Sequence, residues 1–290
     1  MLSRRPIVAY PSPSLYGRIM KNVLITGCSS GYGRATALHF FEQGWNVAAT
    51  MRTPGTGDMP KSERLRELRL DVTDRASIKT AFAEAIATFG GLDVVVNNAG
   101  IGLFGAFETT SESVLREVFE TNTFGTMAVA QAVIPHFRER RSGTLIHVTS
   151  SVGIVPMPLV AVYVASKYAI EGFTEALSYE LSAFGIRTKI VEPGYGPTTR
   201  FIANSGDRMK EGVPEPYAAY AQELMQSMST TKTTTAADVA TVIWRAATDP
   251  SEQLRYAAGP DAEELAAMRR TLPGEDYLAA MRSAMGPKGS

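Results

Sequence analysis

Hydrophobic positions along this chain follow two rhythms that take turns. Short continuous apolar runs, each stopped by glycine or by polar residues, read as strands buried on both faces. They are "KNVLIT" from Lys21, "WNVAATM" from Trp45, "LRLDV" from Leu68, "LDVVVNNAG" from Leu92, "GTLIHVTS" from Gly143, "IRTKIVEPG" from Ile186 and the short "LRYAAG" from Leu254. Between them lie stretches of helical period. "GYGRATALHFFEQG" sets Ala35, Leu38 and Phe41 on one face and stops at Gly44, and "RASIKTAFAEAIATF" follows the third run. A longer pattern spans Ser111 to Arg140 with an interruption near Asn122, another spans Val162 to Phe184, and "TAADVATVIWRAATD" precedes the last strand. Strands that alternate with helices predict a parallel sheet covered on both faces, a doubly wound α/β domain. Residues 53 to 64 read as a loop. Residues 198 to 234, rich in Met, Tyr, Thr and Ser, break the rhythm and read as a lid inserted over the carboxyl edge of the sheet, where such folds bind ligands.

Composition narrows the class. The chain has 290 residues, long enough for a substantial core, and no repeat or shift of composition divides it. We therefore expect a leader over 1–20, a catalytic body over 21–260 and a helical tail over 261–290. The leader carries paired arginines and prolines without an apolar segment suited to secretion, and reads as disordered and dispensable to the core. Twenty-nine basic residues balance 29 acidic ones, which implies neither a nucleic-acid nor a membrane-surface partner. Cys28 is the sole cysteine, so no intrachain disulfide forms, and a reducing, cytoplasmic setting suits the chain. No apolar run approaches the roughly 18 residues of a spanning helix.

The chemistry concentrates in two places. "TGCSSGYG", Thr26 to Gly33, joins the first strand to the first helix. Gly27, Gly31 and Gly33 permit a tight turn and close backbone approach to a pyrophosphate, for which the helix N-terminus supplies unpaired N–H groups. Further on, "YVASK" puts Tyr163 and Lys167 four residues apart on one helix face, soon after Ser150 ends the fifth strand. A phenol with an ordinary pKa near 10 is a poor base at neutral pH, and an adjacent ammonium favours its ionised form.

TGxxxGxG, then "NNAG" from Asn97 to Gly100, then Asn122, Ser150, Tyr163 and Lys167 in order resemble the short-chain dehydrogenase/reductase superfamily, from about residue 21 to 260. The resemblance implies a Rossmann-type domain that interconverts a carbonyl and an alcohol with NADP(H). It makes Tyr163 the general acid/base, Lys167 its partner and the holder of the nicotinamide ribose, Ser150 a donor to the substrate oxygen, and Asn122 the anchor of a proton-relaying water. It places Gly27, Ser29, Ser30, Gly31, Tyr32 and Gly33 around the phosphates, with Tyr32 bulkier than usual against the adenine-ribose side. Asp71 and Val72 fall beside the adenine, and Asn98, Ala99 and Gly100 along the cofactor's path. Pro193 and Gly194 fall by the nicotinamide, and Thr198, preferred to Thr199 on spacing, near its carboxamide or the pyrophosphate. It also implies a homodimer or homotetramer, for which the Val162–Phe184 helix could serve.

The end of the second strand bears on cofactor choice. An NAD-preferring member would carry a carboxylate there, whereas this chain has Met51 followed by Arg52, a guanidinium suited to the 2′-phosphate of NADP(H). Arg34 reads as a solvated helix arginine. Phe104, Phe107, Met157, Leu159, Tyr195 and Phe201 cluster after the fourth, fifth and sixth strands and predict an apolar, bulky substrate. A 3-oxoacyl-thioester reductase is the second enzymatic reading, left open by Arg200, Arg208 and Lys210. A non-catalytic NADP-sensing scaffold is a third, against which the four intact residue types weigh. His39, His136 and His147 have no metal-ligand spacing and read as structural, and "SSGYG" lacks the lysine of a P-loop.

Overall fold

The computed structural model describes residues 20–197, 213–229 and 232–286. Its seven strands form one parallel sheet: β1 (Asn22–Thr26), β2 (Asn46–Met51), β3 (Leu65–Arg69), β4 (Val94–Asn97), β5 (Gly143–Val148), β6 (Ile186–Pro193) and β7 (Arg255–Ala258), in the spatial order β3-β2-β1-β4-β5-β6-β7. Strand β1 pairs with β2 on one side and β4 on the other, so the sheet grows outward in two directions from β1. The crevice at the carboxyl ends of β1 and β4 is the switch point at which doubly wound sheets take ligands.

Alternate residues of the strands feed two core layers. Val23 and Ile25 face α1 (Gly31–Glu42) and α7 (Ala236–Thr248), whereas Leu24 faces α2 (Arg75–Phe89), α4 (Thr126–Arg140) and α5 (Ala161–Ser182). In the first layer Phe40 meets Trp45 and Trp244 edge-on, with centroids 5.1 and 5.0 Å apart, an arrangement that suits the ring quadrupoles. Local signals set the helix ends. The Asp74 side chain accepts from the Ala76 and Ser77 amides to start α2, and Thr235 and Asp238 close a capping box at α7.

The interruption expected near Asn122 is a π-helical segment, Glu120–Gly125, between α3 (Glu112–Phe119) and α4. The third strand differs from expectation. It covers Leu65–Arg69 and ends before "LDV", because β3 is an edge strand in register with Val47–Met51. Leu70 and Val72 instead lie past the strand, in the layer beneath α2 and α4. Within the lid region, α6 (Glu215–Ser229) places Tyr217, Tyr220, Ala221, Leu224 and Met228 at helical spacing toward Leu159 and Ala106.

The helical pattern after residue 260 becomes α8 (Pro260–Thr271) and α9 (Gly274–Met285), and both pack against the body. Tyr277 and Met281 are buried against Val155, in the loop between β5 and α5. The leader, residues 1–19, lies outside the described residues. Removing the side chain of a buried aromatic residue such as Tyr277 costs about 3 kcal/mol or more. Denaturant unfolding of Tyr277→Ala is expected to show that loss; a change below about 1 kcal/mol would mean that α9 is not docked.

Candidate active site

The turn after β1 is pressed against the turn after β4. Gly27 has φ +75°, and a Cβ there would sit 2.8 Å from the Ala99 Cα; one at Gly33 would meet the Gly27 carbonyl at 2.3 Å. Only glycine fits either position. The Thr26 hydroxyl accepts from the Asn98 and Ala99 amides, each at 3.0 Å, and the Asn98 amide group donates back to the Thr26 carbonyl at 2.9 Å. The two turns are thereby stitched into one backbone cradle.

Helix α1 opens on that cradle. Its N-cap, Ser30, is extended and makes no side-chain capping bond, and no acidic residue occupies the first turn. The amides at this end are thus neither capped by Ser30 nor screened by a carboxylate, which suits a phosphate. These features fit the pyrophosphate of a nicotinamide dinucleotide, with Gly27, Ser29, Ser30, Gly31 and Gly33 as the residues that would hold it.

At the end of β2, Met51 is buried and packs in the core, and Arg52 is exposed. Asp71 stands within electrostatic reach of Arg52. Burial works to raise the Asp71 carboxyl, but bonds from the Thr73 amide and hydroxyl, with Arg52 and Arg69, outweigh it and hold the group below its ordinary range. Val72 packs against the π segment, so tightly that a Cβ at Gly125 would come within 2.8 Å of it. Arg34 is not simply solvated as expected: it donates to the Gly57 carbonyl at 2.7 Å and to the Asp58 carbonyl and carboxylate, pinning the 53–64 loop.

Helix α5 carries Tyr163 and Lys167 on its buried inner face. Tyr163 and Lys167 are buried with 8% and 6% exposure, and Ser150, at the end of β5, has 9%. Burial pushes the Tyr163 phenol well above its usual range, opposed by a hydrogen bond with Ser150 and reinforced by Tyr32. Burial also brings the Lys167 ammonium down to about 8, with Glu171 working against the fall. The ammonium lies 5.7 Å from the Tyr163 ring centroid and donates to the Val148 carbonyl at 3.1 Å. Desolvation therefore dominates both groups.

Asn122 sits beside them in the π segment. Its side chain accepts from the Ile101 amide at 2.8 Å and donates to the Ile101 carbonyl and to Ser166, so it braces the turn after β4 against α5. Gly100 lies between: a Cβ there would be 3.3 Å from Asn122 Oδ1 and 3.6 Å from Lys167 Nζ.

Tyr32 is half-buried against the first core layer, and burial, then Asp261 and Asp238, push its phenol up. Asp261, from α8, accepts from the Tyr195 amide at 2.6 Å and from the Thr234 hydroxyl at 2.5 Å, and a Cβ at Gly194 would strike its carboxylate. This buried carboxylate fixes the Pro193–Gly194 exit of β6, and nothing in the local pattern announced it. Ser166, three residues after Tyr163, was visible in "YVASK" but had no assigned task. Thr198, Thr199, Phe201, Arg200, Arg208 and Lys210 lie outside the described residues.

The expected apolar wall assembles in part. Leu159 is buried with Ala106, Ala221 and Leu224, and Phe104, Tyr217 and Tyr220 pack around them. Phe107 does not join, being 63% exposed on a short 3-10 turn. The histidines are built into the packing. His147 Nδ1 pairs with Thr174 at 2.6 Å, His136 accepts from the Leu92 amide, and His39 lies edge-on to Trp244. Among the described residues no helix is long and apolar enough to cross a membrane.

Comparison with known proteins agrees with this arrangement. The sequence profile of short chain dehydrogenases matches residues 21–209. An uncharacterized oxidoreductase of Schizosaccharomyces pombe is 37% identical over 244 residues, covering 81% of this chain and 100% of that protein. A 3-ketodihydrosphingosine reductase of Bacteroides thetaiotaomicron is 38% identical over 196 residues, 68% of this chain and 71% of that one. A short-chain dehydrogenase from Streptomyces avermitilis has a solved structure with TM-score 0.75 and 33% identity, over 91% of this chain and 95% of that chain. Other structures of the same fold have been solved with NADP or with NAD. By its profile, its sheet and the residues gathered at the switch point, the chain belongs to the short-chain dehydrogenase/reductase family of oxidoreductases.

Proposed function

We propose that the chain reduces an apolar ketone or aldehyde with NADPH, or oxidises the corresponding alcohol with NADP. The observation that carries this reading is the placement of Tyr163, hydrogen-bonded to Ser150 and beside Lys167, on the α5 face next to the glycine cradle. The cofactor, when bound, supplies or accepts a hydride. The protein's own groups do the rest. Ser150 holds the substrate oxygen, and Tyr163 gives it a proton as negative charge develops. A phenol that is protonated through the neutral range is in the correct state to donate. Lys167 supplies positive charge beside that oxygen and hydrogen bonds for a ribose. The buried wall of Leu159, Ala106 and Leu224 favours a bulky apolar substrate. The relative named for a 3-keto substrate points the same way.

Arg52 supports NADP over NAD. With Met51 buried, no carboxylate at the strand end would repel a 2′-phosphate, and an exposed guanidinium stands next to it. Asp71 offsets part of that charge. The reading includes a homo-oligomer formed through the outer face of α5, where Tyr179 is 80% exposed.

Three measurements test it. NADPH consumption should proceed with long-chain ketones, steroids or retinoids. In Tyr163→Phe turnover should fall by about 100-fold or more while NADPH affinity stays near that of the wild type. Retention of more than about a tenth of the rate would remove Tyr163 from the chemistry, and a preference for small sugars would remove the apolar substrate. The ratio of kcat/KM for NADPH over NADH should be at least about tenfold and collapse in Arg52→Ala, since a charge-assisted bond is worth about 1.5–3 kcal/mol. A wild-type ratio near one would contradict the role of Arg52.

A further inference from the structure

The spacing that joins Tyr163 to Lys167 continues along α5. Glu171 and Glu175 follow at the same four-residue interval, giving a row of ionisable groups on one helix face. The first three are buried, Glu171 to 4% exposure, and Glu175 reaches solvent. A buried carboxylate is costly unless it is paired. Arg255 on β7 supplies the pairing: it bonds Glu171, Glu192 on β6 at 2.7 Å, and Glu175 at 2.7 Å. Three carboxylates thus share one guanidinium, which leaves negative charge in excess directly behind Lys167.

The other groups around this cluster do not cancel that excess at Lys167. Arg269 and Arg270 on α8 act one step further out, on Tyr168 and Glu192. His147, across from Lys167, is held neutral by burial and by Lys167 itself, and so contributes no charge near pH 7. Burial lowers the proton affinity of Lys167, and Glu171 is the group that opposes it. Glu171 Oε1 is also buried, with Thr149 near enough to favour the charged carboxylate alongside Arg255.

We propose that Glu171, anchored by Arg255, is a positioning residue that keeps the Lys167 side chain charged and directed into the catalytic site. The catalytic meaning of this role rests on the function proposed for Lys167. The effect on Lys167 itself does not. The sign follows from charge: without a carboxylate at position 171, Lys167 loses its proton at a lower pH. Glu171 is itself pushed up to about 7 by burial and by Glu192, so the pair is coupled across the neutral range.

The test titrates the cofactor-free full chain by NMR with lysine labelled at the ε carbon, the Lys167 signal being assigned by its loss in Lys167→Arg. The Lys167 midpoint should fall by about one unit or more in Glu171→Gln. It should return toward wild type in Glu171→Asp and stay unchanged in Glu175→Gln. Arg255→Gln, which leaves Glu171 without its counter-charge and therefore protonated, should shift Lys167 in the same direction and serves if Glu171→Gln does not fold. In ketone reduction, the high-pH limb of kcat should move down with the midpoint. An unchanged midpoint in folded Glu171→Gln, or in Arg255→Gln if only that variant folds, overturns the proposal. A shifted midpoint in a protein that reduces no carbonyl leaves Glu171 its role and overturns the reductase reading instead.

Discussion

The contact between the turns that leave β1 and β4 governs what this sheet can hold. Two backbone segments approach so closely at Gly27 and Ala99 that any side chain at position 27 would force them apart. The Thr26 hydroxyl then locks the approach through both neighbouring amides. Because β1 is the strand from which the sheet grows both ways, fixing its exit fixes the crevice at the switch point. The open end of α1 and the base of the π segment around Asn122 are aimed into that crevice as consequences.

A second constraint is burial itself. One physical cause moves the two central groups in opposite directions, raising the phenol of Tyr163 and lowering the ammonium of Lys167, because desolvation penalises whichever form is charged. Left alone, it would neutralise both. A neutral phenol suits proton donation, whereas a neutral lysine would lose its electrostatic purpose. The carboxylates behind Lys167 counter the loss on one side only, so the two groups are held in different charge states on the same helix face. The helix is buried along that face, which sets their geometry relative to Ser150 just past β5.

Much of this was legible from the sequence because it is local. Strands show as apolar runs, the glycine turn sits between a strand and a helix, and Tyr163 and Lys167 share a face through helical spacing alone. What was hidden depends on distant parts of the chain. β3 slid toward Leu65 because its limits come from pairing with β2, not from its own apolar residues. The charge that bears on Tyr32 comes from Asp238 and Asp261, more than 200 residues away in sequence. Asp261 itself looked like the first acid of a helical tail and proved to hold the exit of β6. Arg34 lost its freedom to a loop whose path no periodicity describes, and Phe107, apolar and near the right edge, faces water.

The central claim is that this cleft brings a nicotinamide and a carbonyl together for direct hydride transfer. Following isotope is the most direct check. With NADPH deuterated at the transferring carbon and an apolar ketone as substrate, mass spectrometry of the alcohol should find one deuterium, and NMR should place it on the carbinol carbon. Product alcohol without the label, or label exchanged into water, would contradict the account.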